Sequence, residues 1–83
     1  MKLKIFTIRD AKAEAFLQPF FKLTHGEAER DFTSLKRDPK SMISQYPEDY
    51  DLYFLGEYDQ VTGTVEPLPT PQHLLKAAAL IDR

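Results

Sequence analysis

Residues 50–58, Tyr-Asp-Leu-Tyr-Phe-Leu-Gly-Glu-Tyr, decide the fold because they are the strongest strand signal in the chain. Aromatic and aliphatic side chains dominate the stretch, and a turn signal precedes it. In a strand, Leu52 and Phe54 lie on one face. Tyr53 and Leu55 then lie on the other face.

The residues that follow predict a hairpin and then a helix. Gly63 can take a positive φ at no steric cost, which favours a tight loop over 59–63 and a returning strand from 64. Prolines at 67, 69 and 71 keep the next stretch extended. Thr70 and the proline after it then have the form of a helix N-cap and a first helical residue. Apolar residues from Leu74 to Ile81 recur at helical spacing, which predicts a last helix that begins after Thr70.

The first quarter of the chain predicts two strands in a hairpin. Residues 2–9 are rich in β-branched and aromatic side chains and form the first strand. Residues 15–23 form the second, although Pro19 has no N–H to donate to a neighbouring strand. We therefore expect this strand at a sheet edge or interrupted by a bulge.

A helix follows directly. Thr24-His25-Gly26-Glu27 has the form of a capping box, in which the Thr24 hydroxyl accepts from the Glu27 N–H. The Glu27 carboxylate is then expected to reach back to the Thr24 N–H. Three residues form a narrow apolar stripe: Ala28, Phe32 and Leu35. Asp38-Pro39 ends the helix, because the residue before a proline is disfavoured in the α region.

The predicted element order is therefore β-β-α-β-β-α in a single domain covering residues 1–83. An antiparallel sheet of about four strands with two helices packed on one face is the simplest arrangement of that order. The fold class is thus α+β.

Composition narrows the cellular setting. The chain has no cysteine, so disulfides and thiolate metal sites are excluded and a reducing cytoplasm fits. It has no apolar stretch of membrane-spanning length and no signal-peptide core at its start, so we expect no membrane association. A small domain without disulfides often gains stability by oligomerising, so we expect self-association.

Charge is distributed unevenly around a net value of −2. Residues 1–40 hold nine Lys/Arg and six Asp/Glu, whereas residues 41–83 hold two Lys/Arg and seven Asp/Glu. The asymmetry indicates either a basic face opposite an acidic one or charges that mix in space.

The sequence offers no convincing catalytic or metal centre. His25 and His73 each lie near a predicted helix start, without a second histidine at i+3 or i+4, so a solvated or capping role is expected. Glu48, Asp49 and Asp51 form an acidic cluster with no basic or histidine neighbour in sequence, which favours a solvated turn. No serine lies in a nucleophile-elbow context. We therefore expect no enzyme activity, no metal and no cofactor.

Aromatic and basic residues together are the most informative set. Stacking rings beside cations are what single-stranded DNA binding requires. One interpretation turns Leu17 and Phe21 towards the helices and places four other residues on the far face of the sheet: Phe16, Phe20, Lys22 and Tyr53. Seven further residues could supply positive charge: Lys2, Lys4, Arg9, Lys12, Arg30, Lys36 and Arg37. The alternatives are that the far face binds a second copy or belongs to the intramolecular core.

An ordered set of motifs resembles the small nonstructural protein of gokushoviruses, single-stranded-DNA phages of the Microviridae. The motifs cover nearly the whole chain, at residues 8–14, 19–21, 26–32, 46–53, 55–59, 62–63 and 70–74. The resemblance implies a DNA-binding protein of the host bacterial cytoplasm that assists the switch to single-stranded genome synthesis or packaging. It supplies no catalytic residues. The net negative charge leaves a second hypothesis open, a protein-interaction module that acts on host or phage replication or assembly proteins without contacting DNA.

Overall fold

The computed structural model, which describes residues 1–80, has an α+β fold with a curled antiparallel sheet. The strands are β1 (Lys2–Asp10), β2 (Ala15–Phe16), β3 (Phe20–Lys22), β4 (Tyr50–Asp59) and β5 (Thr64–Lys76). The helices are α1 (His25–Arg37) and α2 (Met42–Gln45), and 3-10 turns span Pro47–Asp49 and Ala77–Ala79. The strand order is β2-β1-β4-β5, with β3 also paired to β1. The predicted fold class and antiparallel sheet are confirmed.

The pair β1–β4 forms the centre of the sheet. Its register runs from Lys2 opposite Asp59 to Asp10 opposite Tyr50, with one bulge. Residues 5–8 of β1 are buried, as expected for a strand that has apolar side chains on both faces. This central pair therefore fixes which side chains of the outer strands can meet.

Pro19 divides the second predicted strand into β2 and β3, which confirms the expected interruption. Residues 17–19 lie outside the ladder, so the alternation of side chains restarts at β3. Phe20 pairs with Phe6 and Phe21 with Ile5 across the sheet. Phe20 and Lys22 therefore face the helix, and Phe21 faces away from it. The predicted orientation of these three residues was wrong.

Helix α1 begins and ends where the sequence predicts. The Thr24 hydroxyl accepts from the Glu27 N–H at 3.1 Å, although the Glu27 carboxylate accepts from the Leu23 N–H instead of that of Thr24. Ala28 and Phe32 are buried, whereas Leu35 at the end of the stripe is 41% exposed. Asp38 is the C-cap residue of α1, so the helix ends directly before Pro39.

The predicted last helix was wrong, because residues 64–76 form the single strand β5. Prolines 67, 69 and 71 keep the chain extended, and residues 72–76 then pair with residues 51–54 of β4. This pairing satisfies backbone N–H and C=O groups of β4 that a helix would leave without a strand partner. The three alanines form one 3-10 turn. Ile81, the last residue of the predicted stripe, lies outside the described residues.

The hydrophobic core lies between α1 and one face of the sheet. Its fully buried large side chains are Phe6, Phe32 and Leu52. Ile8 and Phe54 join them from β1 and β4. We call this the helix side of the sheet, and the opposite surface the open face. Within residues 1–80, no helix has both the length and the apolar character needed to cross a bilayer.

Candidate nucleic-acid interface

Three rings form a continuous row across the open face. Tyr53 on β4 contacts Phe16 on β2 with ring centroids 5.2 Å apart and planes at 81°. It contacts His73 on β5 on its other side, at 5.3 Å and 83°. Phe16 is 46% exposed and His73 is also exposed. We call these three residues the aromatic row.

The sheet register explains why the rings meet. Tyr53 lies opposite His73 on β5 and opposite Thr7 on β1. Thr7 is buried, and its hydroxyl donates to the Leu17 carbonyl at 2.7 Å. Because the Thr7 side chain is short, the Phe16 ring can reach across β1 to Tyr53.

The charges around the aromatic row are placed unevenly. The Arg9 guanidinium lies 5.8 Å from the centroid of the Phe16 ring, a cation–π arrangement. The Asp51 carboxylate lies at the other side, with one oxygen 2.6 Å from His73 Nε2 and the other 3.6 Å from Lys76 Nζ. Lys76 Nζ also donates to the Glu48 carbonyl at 3.0 Å. The row therefore has a cation beside Phe16 and a fixed carboxylate beside His73.

Of the residues that the sequence predicts for DNA binding, the structure brings Arg9, Phe16 and Tyr53 together. Phe20 instead packs on Phe6 in the core, with ring centroids 6.0 Å apart. Lys12 lies in the exposed turn after β1. Three others lie on α1, on the helix side of the sheet: Arg30, Lys36 and Arg37.

Three of the predicted lysines are paired with carboxylates. The pairs are Lys2 with Glu66 at 3.2 Å, Lys4 with Glu57 at 3.5 Å and Lys22 with Asp31 at 2.6 Å. The hydrogen bond and the charge of Glu66 raise the pKa of Lys2. These lysines all lie on the helix side by strand register, so residues 1–80 form no continuous basic surface around the aromatic row.

Sequence reasoning missed His73, Asp51 and Lys76. His73 was predicted at a helix start and Asp51 in a solvated turn, whereas β5 places both His73 and Lys76 beside Asp51. The alternate prolines before residue 72 were the available signal, because they favour an extended chain. The prediction for His25 was also wrong, since its ring packs 4.5 Å from that of Phe54.

The other half of the open face is apolar. Leu3 lies opposite Tyr58, and Tyr58 lies opposite Val65. The Phe21 ring contacts that of Tyr58 at 5.8 Å. Phe21 is 46% exposed and Val65 is 56% exposed. We call these four residues the apolar strip.

Residues 1–80 also form a concave surface on the helix side of the sheet. A groove of about 300 Å³ lies between α1 and β3, with Phe20, Phe32 and Leu35 in its wall. No group of three or more His, Asp or Glu side chains in this part of the chain could hold a metal ion. The charged side chains in the groove wall, Lys22 and Asp31, pair with each other at 2.6 Å.

Comparison with known proteins gives one family. The family described as Phage ORF5 protein matches residues 3–80. This match covers β1 from its second residue, the other four strands, α1 and the whole aromatic row. Neither a curated protein nor a solved structure matches the chain.

Proposed function

Because the chain belongs to the Phage ORF5 protein family, and is thus a phage protein, we propose that it is a non-enzymatic DNA-binding protein that prefers single strands. The observation that carries the proposal is the aromatic row, with Arg9 beside it on the open face. A sheet face with exposed rings and a nearby cation is a common platform for unpaired bases.

The preference for single strands follows from ring stacking. Bases of a duplex are already stacked and paired, so the rings can only take bases that are unpaired. Each base stacked on an aromatic side chain contributes about 1–3 kcal/mol. Phe16 and His73, at the exposed ends of the aromatic row, are the rings best placed to receive bases.

The charge pattern predicts a weak dependence of binding on salt. Since Lys2, Lys4 and Lys22 are paired with carboxylates, Arg9 is the predicted cation that lies beside the rings. Binding through about one or two phosphates gives a log–log salt slope of about −0.7 to −1.4 on single strands. A slope of about −5 would instead indicate that the whole set of predicted cations contacts phosphates of the DNA.

A titration of labelled single strands of about twelve nucleotides at about 50 mM salt tests the proposal. We expect Tyr53→Ala to weaken binding by about 5-fold or more, since it removes the central ring. Tyr46→Ala is the matched control, because Tyr46 is 51% exposed and lies in the connector before β4. Equal losses in both variants, or no binding by the wild type, would contradict the proposal.

The resemblance to gokushovirus nonstructural proteins supports a finer role. We propose that the protein acts in the host bacterial cytoplasm and assists the switch to single-stranded genome synthesis or packaging. A protein that covers bases as they are exposed keeps the displaced strand from pairing again. Deleting the gene should then lower the ratio of single-stranded to duplex phage DNA in infected cells, and an unchanged ratio would contradict this role.

The ion-paired lysines favour a second candidate, a module that binds host or phage replication or assembly proteins without contacting DNA. Paired charges give a mixed surface, which suits a protein partner better than a phosphate backbone. A wild-type protein that binds no oligonucleotide at low salt, yet is recovered with a phage replication or capsid protein, would favour this candidate.

The apolar strip is proposed to contact a second copy of the chain. Its four side chains carry no charge, and two of them, Phe21 and Val65, are about half exposed. Stable dimers bury about 800 Å² per partner, so the contact alone supports only weak, concentration-dependent association. Copies bound side by side on one strand raise each other's effective concentration, which favours the contact on DNA.

A further inference from the structure

The carboxylate of Asp51 is held in place beside the rings. Its side chain is 19% exposed, and it lies two residues before Tyr53 on the same face of β4. His73 Nε2 and Lys76 Nζ contact its two oxygens separately. Because both oxygens have a partner on β5, the carboxylate cannot swing away when a ligand covers the row.

A fixed carboxylate beside a stacking site distinguishes bases by their edges. An ionised carboxylate only accepts hydrogen bonds, and its two oxygens offer about four lone-pair positions. Two of these positions face His73 and Lys76, which leaves others for a ligand. Cytosine and adenine present exocyclic amino donors, and guanine presents an amino group as well. Thymine presents a single ring N3–H donor, which lies between two carbonyl oxygens that a carboxylate repels.

We propose that Asp51 makes the aromatic row select against thymine, so that strands of amino-bearing bases bind more tightly than thymine strands of equal length. The inference rests on the proposed function, since it assigns a specificity to the same surface. Asp51 is thus a specificity-determining residue, with His73 positioned both to stack and to hold the carboxylate.

The sharpest comparison keeps ring size and methyl group constant. Strands of about twelve 5-methylcytosines and of twelve thymines differ in the group at position 4 and in the protonation of N3. Wild-type protein at neutral pH should bind the 5-methylcytosine strand about 5- to 10-fold more tightly. A third strand, of N4,N4-dimethylcytosine, removes the amino donors and should fall to the level of thymine.

Two variants identify the residue responsible. Asp51→Asn, whose amide can donate to a carbonyl, should bring the ratio of the two dissociation constants close to one, mainly by improving binding to thymine. Glu48→Gln changes the net charge equally in the neighbouring 3-10 turn, where the Glu48 side chain is exposed, and should leave the ratio unchanged.

The outcomes are distinguishable. Equal wild-type affinity for the 5-methylcytosine and thymine strands overturns the selectivity while the proposed function stands. An unchanged ratio in Asp51→Asn overturns the role of Asp51. If Asp51→Asn does not fold, the dimethylcytosine strand with wild-type protein still decides, because binding as tight as to 5-methylcytosine contradicts an amino-group contact. Absence of binding to all three strands overturns the proposed function itself.

Discussion

Gly56→Ala should destabilise the sheet severely, because the backbone of β5 leaves no room for a side chain at this residue. A Cβ atom added at Gly56 would lie 2.3 Å from the Glu66 carbonyl oxygen and 2.8 Å from the Pro67 Cα. Both contacts are with backbone, so no side-chain rotation can relieve them. Gly56 also has a φ of +150°, which residues with a side chain rarely adopt.

The expected cost follows from two contributions. The unusual φ costs about 1–3 kcal/mol for alanine. Moving β5 away from β4 loses at least one backbone hydrogen bond, at about 0.5–1.5 kcal/mol, together with local packing. The total of about 2–5 kcal/mol is a large part of the stability of an 83-residue domain, which is on the order of 4–12 kcal/mol.

Urea denaturation followed by circular dichroism measures this loss, and the other two glycines serve as controls. Gly63→Ala, at φ +74° with no atom within 4 Å of the added Cβ, should cost about 1–2 kcal/mol. Gly26→Ala in α1, where the nearest atom is 3.8 Å away, should be neutral or stabilising by up to about 1 kcal/mol. Equal losses for Gly56→Ala and Gly63→Ala would refute the close-approach argument.

Three further predictions concern the core, the apolar strip and the β4–β5 turn. Phe32→Ala should lower the free energy of unfolding by about 3–5 kcal/mol and Leu35→Ala by about 1 kcal/mol or less, since only Phe32 is buried; comparable losses in urea denaturation would contradict this. In sedimentation equilibrium Val65→Glu should weaken self-association and Val61→Glu, 81% exposed in the turn, should not; a strictly monomeric wild type at millimolar concentration would contradict the contact. The bond from the Val61 N–H lowers the pKa of Asp59 below 3.8, so its stabilisation is present above that pH and lost as pH falls through the folded-state value. Asp59→Ala should therefore destabilise at neutral pH and much less near about pH 2, and a pH-independent loss would argue against the bond.

Local signals were sufficient for most of the fold. The alternation in residues 50–58 identified β4, and the capping residue Thr24 fixed the start of α1. The prediction of a last helix was wrong because Thr70 and the apolar spacing after it are compatible with a helix as well as with a strand. The pairing requirement of β4, a tertiary demand, selected a strand there instead.

The candidate site was less accessible to sequence reasoning. The sequence identified Arg9, Phe16 and Tyr53 because aromatic and basic side chains are the types that bind single-stranded DNA. Phe20 was placed on the wrong face because a single irregular segment at residues 17–19 shifts the alternation of everything that follows it. His73 reaches the row from a strand 20 residues further along the chain, and no local pattern encodes that register.

Mapping the bound strand by NMR tests the central claim most directly. A single-stranded cytosine oligonucleotide added to isotope-labelled protein should shift the ring resonances of Phe16, Tyr53 and His73 and the side-chain resonances of Arg9. Resonances of α1, on the other side of the sheet, should stay in place. Shifts concentrated on α1, with the three rings unperturbed, would contradict the account.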